Sequence, residues 1–112
     1  MAKKIDVPNQ SATSMQNSES FQPYAPFIVQ AIGAPVANFT IQQIPNQLDE
    51  STAGNWDTAT GSIVVIDSMN PIAVVNFAYG FKYRIQKDAT AQTTALDFYW
   101  GNTTNLSYIE AS

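Results

Sequence analysis

Apolar and polar residues alternate most clearly between Pro71 and Lys87. Nearly every odd-numbered residue in this stretch is apolar, namely Ala73, Val75, Phe77, Tyr79, Phe81, Tyr83 and Ile85. Successive side chains of a strand point to opposite faces, so these residues would line one buried face. The even-numbered residues are mostly apolar before Gly80 and polar after it, where Lys82 and Arg84 stand. The pattern predicts a sheet core that is buried on both faces before Gly80 and on one face after it.

The same stretch is too long for one strand. Residues 71–87 would span about 56 Å at about 3.3 Å per residue, more than twice the usual strand length. A chain of 112 residues cannot cover such a strand. We therefore expect the chain to bend at Gly80, as strands do when they pass from one packed sheet to another.

Shorter alternating runs predict further strands at Phe27 to Ala34, Val36 to Ile44, Ile63 to Ile66 and Leu96 to Trp100. Asn46 to Ser62 is rich in turn-forming residues and is predicted to be a loop, with a short helical turn at Leu48 to Ala53. After Trp100, a three-residue loop would pair Phe98 with Leu106 and Leu96 with Tyr108.

Together these elements predict an all-β fold of six to eight short antiparallel strands, a small β-sandwich or barrel that is jelly-roll-like. Residues 1–22 are polar and lack apolar periodicity, which is typical of an extended arm that is flexible or binds a partner. The sequence pattern therefore predicts this N-terminal arm, followed by a single β domain over residues 23–112.

Composition removes several kinds of chemistry. The sequence contains neither cysteine nor histidine, so it offers no disulfide, no Ser-His-Asp or Cys-His nucleophile and no imidazole ligand for a transition metal. The net charge of −4 opposes nonspecific nucleic-acid binding. No secretory signal or membrane-spanning run is recognisable, so we expect synthesis in the cytoplasm and no membrane insertion.

The acidic residues form two candidate groups. Asp49, Glu50 and Asp57 could offer oxygen ligands to calcium, but the order of an EF-hand loop is missing and we interpret them as a solvated loop. Asp67 and Asp97 adjoin apolar strands and are the pair that a carboxylate-dependent hydrolase would use. So short a chain seldom forms the required cleft, so we expect no catalytic residue, no metal site and no cofactor.

Aromatic and basic residues suggest binding surfaces. Trp56, in a loop and expected to be exposed or buried against another subunit, could join Tyr99 in a platform for stacking sugars. Lys82 and Arg84 share one strand face, and we expect them to bind an acidic partner, such as the Asp49–Glu50 loop of a neighbouring subunit. Phe81 and Tyr83 point to the opposite face, which argues against a nucleic-acid platform.

A small acidic β domain with many amide and hydroxyl side chains and little charge suits a structural protein that assembles with itself. The sequence-based hypothesis is a non-enzymatic bacteriophage virion component, a capsid decoration, cement or vertex protein that forms a homotrimer and binds a larger capsid or shell protein. The arm, with Lys3 and Lys4, would contact that shell. The alternatives are a glycan-binding β-sandwich module using Trp56 and Tyr99, and a hydrolase.

Overall fold

The computed structural model describes residues 3–102, which form two antiparallel sheets packed face to face. The predicted all-β class is confirmed, and the arrangement is that of a small β-sandwich. The described residues form ten strands instead of six to eight, because several predicted loops contain strands of two or three residues.

Each sheet has a defined strand order. The first sheet contains β1 (Lys3–Ile5), β10 (Asp97–Asn102), β3 (Phe27–Ile32), β8 (Ile72–Val75) and β6 (Gly61–Ile63), in that order. The second contains β2 (Gln16–Asn17), β9 (Phe81–Lys87), β4 (Phe39–Pro45) and β5 (Asp57–Thr58), with β7 (Val65–Ile66) also paired to β4. A single turn of 3-10 helix, Ala53–Asn55, lies in the predicted loop between β4 and β5.

The core lies between the sheets and follows the alternation seen in the sequence. Four apolar odd-numbered residues of β8 and β9 are buried, as predicted, and a fifth, Phe81, is partly buried. Ala73, Val75, Tyr83 and Ile85 are at most 1% exposed. Phe39 from β4 packs against Phe98 from β10, with 4.8 Å between ring centroids, so aromatic rings join the two layers.

Gly80 lies where the chain passes from one sheet to the other. Residues 76–80 connect β8 in the first sheet to β9 in the second. Gly80 has a φ of +79°, a left-handed conformation that glycine adopts without steric cost. Its carbonyl accepts a hydrogen bond of 2.8 Å from the Asn46 N–H. The predicted bend between packed sheets is confirmed.

The N-terminal segment is part of the domain. β1 pairs with β10 and β2 pairs with β9, and Ile5 and Val7 belong to the hydrophobic core. Polar side chains fasten the segment to the backbone: the Gln10 amide donates to the Leu96 carbonyl at 2.9 Å and accepts from its N–H at 2.8 Å. Residues 3–22 therefore belong to the described domain, which corrects the boundary expected after residue 22.

The loop predicted directly after Trp100 begins later than expected. β10 has β1 on one side and β3 on the other, so Phe98 lies opposite both Ile5 and Ala31. The strand continues through Gly101 and Asn102, which pair with Ile28 and Phe27. The predicted pairing of Phe98 with Leu106 and of Leu96 with Tyr108 involves residues that lie outside the described residues.

Candidate interaction surfaces

Three of the predicted site residues meet on the outer face of the second sheet, in a group we call the Trp56 cluster (Trp56, Arg84, Lys82, Glu50 and Gln42). The Arg84 guanidinium lies over the Trp56 ring, 4.1 Å from its centroid, and its Nε donates to Gln42 Oε1 at 2.8 Å. The indole N–H of Trp56 donates to the Glu50 carbonyl at 2.9 Å. Trp56 is only 7% exposed within its own chain, which corrects the expectation that it would be exposed or buried against another subunit.

The Trp56 cluster is largely satisfied within the chain. Lys82 Nζ donates to Glu50 Oε2 at 2.8 Å, so the acidic group expected on a neighbouring subunit belongs to the same chain. Burial lowers the pKa of Arg84, and the Glu50 carboxylate partly offsets that effect. Lys82 thus has an acidic partner within its own chain, whereas Arg84 contacts Gln42 and the Trp56 ring.

The Lys82 to Glu50 ion pair gives a test by pH. The hydrogen bond from Lys82 lowers the pKa of Glu50. The ion pair therefore stabilises the fold fully above the ordinary glutamate pKa of about 4.3. This stabilisation is lost as the pH falls through the lower pKa that Glu50 has in the folded state. Both side chains are about a third exposed, so we expect less than about 1 kcal/mol. The urea concentration at the midpoint of unfolding should fall less steeply at acidic pH in Glu50→Gln than in the wild-type protein. Asp57→Asn, which removes an acid with no ion pair in residues 3–102, should keep the wild-type slope.

The remaining predicted binding residues lie on the first sheet. Lys4 is paired with Asp97 at 3.4 Å, and this carboxylate raises the pKa of Lys4. Tyr99, beside Lys4 in the register, is half-buried on the outer face of this sheet, whereas Trp56 lies on the outer face of the other sheet. Trp56 and Tyr99 therefore do not form the predicted sugar-stacking platform.

The acidic candidates serve structural roles. Asp67 Oδ1 accepts hydrogen bonds from the Met69 and Asn70 N–H groups in a turn, and Asp97 pairs with Lys4. Hydrogen bonds from Ser51 lower the pKa of Asp49. Within residues 3–102, no three His, Cys, Asp or Glu side chains group closely enough to hold a metal ion.

Lys87 is a basic residue whose side chain is fully buried, with an exposure of 0%. Its ammonium shares three N–H groups among the carbonyls of Ala12, Ser14, Asp88 and Thr90, at 2.8, 3.1, 2.7 and 2.8 Å. The signal in the sequence is its odd residue number, because odd-numbered side chains of this strand share the inner face with Tyr83 and Ile85.

One end of the sandwich carries an uncharged aromatic surface, which we call the aromatic end (residues 45–48 and 76–80). Tyr79 is 86% exposed and makes an edge contact with Phe77, with 4.9 Å between ring centroids. The buried Tyr83 supports this loop, because its hydroxyl accepts a hydrogen bond of 3.1 Å from the Ala78 N–H. Neither segment contains a charged residue, and Leu48, in the first segment, is 44% exposed.

The opposite end of the sandwich carries exposed aliphatic side chains, which we call the aliphatic end (Ile32, Val36 and Met69). β3 runs from Phe27 at the aromatic end to Ile32, which is 43% exposed. Val36 and Met69, in the loops at that end, are 58% and 84% exposed. Sequence reasoning missed both ends, because it assigned apolar residues to the core by default.

No family model, curated protein or solved structure matches the chain. Within residues 3–102, no helix is long and apolar enough to cross a membrane.

Proposed function

We propose that this chain is a non-enzymatic structural protein that assembles with copies of itself, and that its setting is a bacteriophage virion, as a capsid decoration, cement or vertex protein. The observation that supports self-assembly is the pair of exposed apolar surfaces at opposite ends of the sandwich. Contiguous exposed apolar side chains on a small soluble domain commonly mark contacts with other proteins. The aromatic end of one copy would bury Tyr79 against the aliphatic end of the next.

The edges of the sheets favour contact through the ends over contact through strand addition. The outermost strands of the first sheet, β1 and β6, have three residues each, and β2 and β5 of the second have two each. Such short edges present few unpaired backbone groups to another chain. The N-terminal segment, which was expected to bind a neighbour as a free arm, is paired within its own domain.

Contact between two different surfaces has a consequence for symmetry. A head-to-tail interface generates a closed ring if its rotation closes and a filament if it does not. A homotrimer bound to a larger shell protein is the ring that we propose, and it requires the two end surfaces of neighbouring copies to meet at an angle and not in line. The low charge of the chain, with 12% charged residues, reduces repulsion between packed copies.

Light scattering coupled to size exclusion should show an oligomer for the full chain, and a monomer for both Tyr79→Ser and the double variant Val36→Ser, Met69→Ser. Mixing these two monomeric variants should restore a dimer, because each keeps the surface that the other has lost. Tyr24→Ser, which removes a similarly exposed tyrosine that belongs to neither residue set, is the matched control and should remain oligomeric.

A wild-type chain that stays monomeric over a wide concentration range would contradict self-assembly. An oligomer that survives in both end variants would show that the contact lies elsewhere. The virion setting has its own test, since mass spectrometry of purified virus particles should detect the chain in a fixed ratio to the main shell protein.

A further inference from the structure

A cleft that shares no residue with the aromatic end or the aliphatic end lies where β1, the loop before β3 and the end of β10 meet. Its volume is about 200 Å³, and it is lined by Lys3, Pro23, Tyr24, Ala25, Phe27, Trp100 and Gly101. We call it the Lys3 cleft. Its walls are mainly aromatic and apolar, with one ammonium group at the rim.

The ammonium of Lys3 gives the cleft its charge preference. Lys3 Nζ lies 5.5 Å from the centroid of the Trp100 ring, a cation–π contact. No carboxylate of residues 3–102 pairs with it, whereas Lys4 pairs with Asp97 and Lys82 with Glu50. An anionic group on a ligand would therefore meet an exposed ammonium beside an aromatic ring, with no carboxylate of residues 3–102 to displace.

The aromatic walls favour a flat apolar surface next to that anion. Trp100 is fixed by stacking on Phe21, with 5.4 Å between centroids and 25° between planes. Tyr24 is 82% exposed, which leaves this ring open to a ligand. Aromatic faces with a few polar groups are the usual lining of small-ligand sites.

The size of the cleft selects a small ligand group. Sites for drug-sized molecules usually have roughly 300 to 1,000 Å³, so the Lys3 cleft suits one ring with its substituents. An extended peptide would need a longer groove or a long free strand edge, and the neighbouring edge strand β1 has only three residues.

We propose that the Lys3 cleft binds a carboxylated sugar residue, with the apolar face of the sugar ring on Tyr24 and the carboxylate on the Lys3 ammonium. The site is independent of the proposed self-assembly, because it does not use either end surface. It also differs from the rejected platform of Trp56 and Tyr99, since it uses other aromatic residues and adds a cation.

Titration calorimetry on the full chain tests the site with oligosaccharides of galacturonic, glucuronic and sialic acid, each beside its neutral methyl ester. At least one acid should bind roughly tenfold or more tightly than its ester, because the ester is neutral and its carbonyl accepts only a weaker hydrogen bond from the Lys3 ammonium. Tyr24→Ser should weaken that binding about tenfold or more. Lys3→Met should abolish the preference for acid over ester. The controls Tyr79→Ser and Lys4→Met should bind like wild type.

Three results would overturn the proposal. The first is that none of the three acids binds at concentrations up to roughly 10 mM, because a dissociation constant above that value is too weak for a specific site. The second is equal affinity for an acid and its ester, and the third is binding that Tyr24→Ser leaves unchanged. A glutamate-rich peptide that binds and loses affinity in Tyr24→Ser and Lys3→Met, while the sugars do not bind, would assign the cleft to a protein partner instead.

Discussion

Replacing Lys87 by methionine is expected to lower the free energy of unfolding by about 3 to 5 kcal/mol. The ammonium is fully buried and donates to four backbone carbonyls between 2.7 and 3.1 Å. Methionine fills a similar volume but donates no hydrogen bond, so these carbonyls would lose their partner in a site closed to water. Each buried polar group left unsatisfied costs about 1 to 3 kcal/mol, and partial relaxation keeps the sum below the maximum. Urea denaturation followed by circular dichroism measures the change.

Lys82→Met is the matched control, since it removes the same charge from the same strand. Its ammonium is partly exposed and pairs with one carboxylate, so the loss should stay below about 1 kcal/mol. Hydrogen exchange should add the location of the effect: in Lys87→Met, protection should fall first around residues 12–14 and 88–90. A Lys87→Met protein as stable as Lys82→Met would show that the four carbonyls find water or other donors at little cost.

Gly61→Ala is expected to cost about 2 to 3 kcal/mol, the second large effect. A Cβ atom at Gly61 would clash with the Val74 carbonyl oxygen and lie 2.9 Å from the Val75 Cα, both backbone atoms of β8. The pairing of β6 with β8 shifts register at this point, so the two backbones approach closely only because glycine is present. The added methyl group must push β6 off the edge of the first sheet. Thermal and urea unfolding both report the loss.

Gly54→Ala provides the comparison, because a Cβ atom there would meet nothing within 4 Å. We expect a change within about 0.5 kcal/mol for this variant. If both alanine variants were equally stable, the close approach of β6 and β8 would not contribute to the stability of the sandwich.

The alternation of apolar residues was enough to predict the class of the fold and its central feature. Ala73, Val75, Tyr83 and Ile85 required one buried face, and the length of the stretch required a bend at Gly80. Both follow from geometry that is local to the strand, which is why a sequence pattern can reveal them. The pattern weakens outside strands, and there Tyr79 breaks it by lying exposed in the loop.

The N-terminal segment could not be predicted in this way, because polar side chains hold it in place. Gln10 and Ser18 bind backbone groups of Leu96 and Ile85, and those partners are 86 and 67 residues away in the sequence. A periodicity argument detects apolar burial, whereas an amide or hydroxyl that satisfies a distant backbone group looks the same in the sequence as one that faces water.

The candidate site residues show the same limit. That Lys82 and Arg84 belong to one region could be predicted from the strand period. That Glu50 completes the Lys82 pair and that Trp56 lies beneath Arg84 could not, because these contacts join a strand to a loop about thirty residues earlier. The Lys3 cleft joins still more distant segments, and only the fold brings Lys3, Tyr24 and Trp100 together.

The position of β10 has a consequence for how the domain is made. β10 is the last described strand along the chain, yet it lies between β1 and β3. Until β10 is synthesised, those two strands are separated by the width of one missing strand. The first sheet is therefore completed late, by contacts between residues that are distant in the sequence. Folds dominated by such contacts typically form in milliseconds to seconds. In a chain that lacks β10, the facing edges of β1 and β3 are both unpaired. The β10 strand of another copy could pair with these two edges as well as the chain's own β10 does. Refolding at high protein concentration is therefore the condition that favours intertwined dimers.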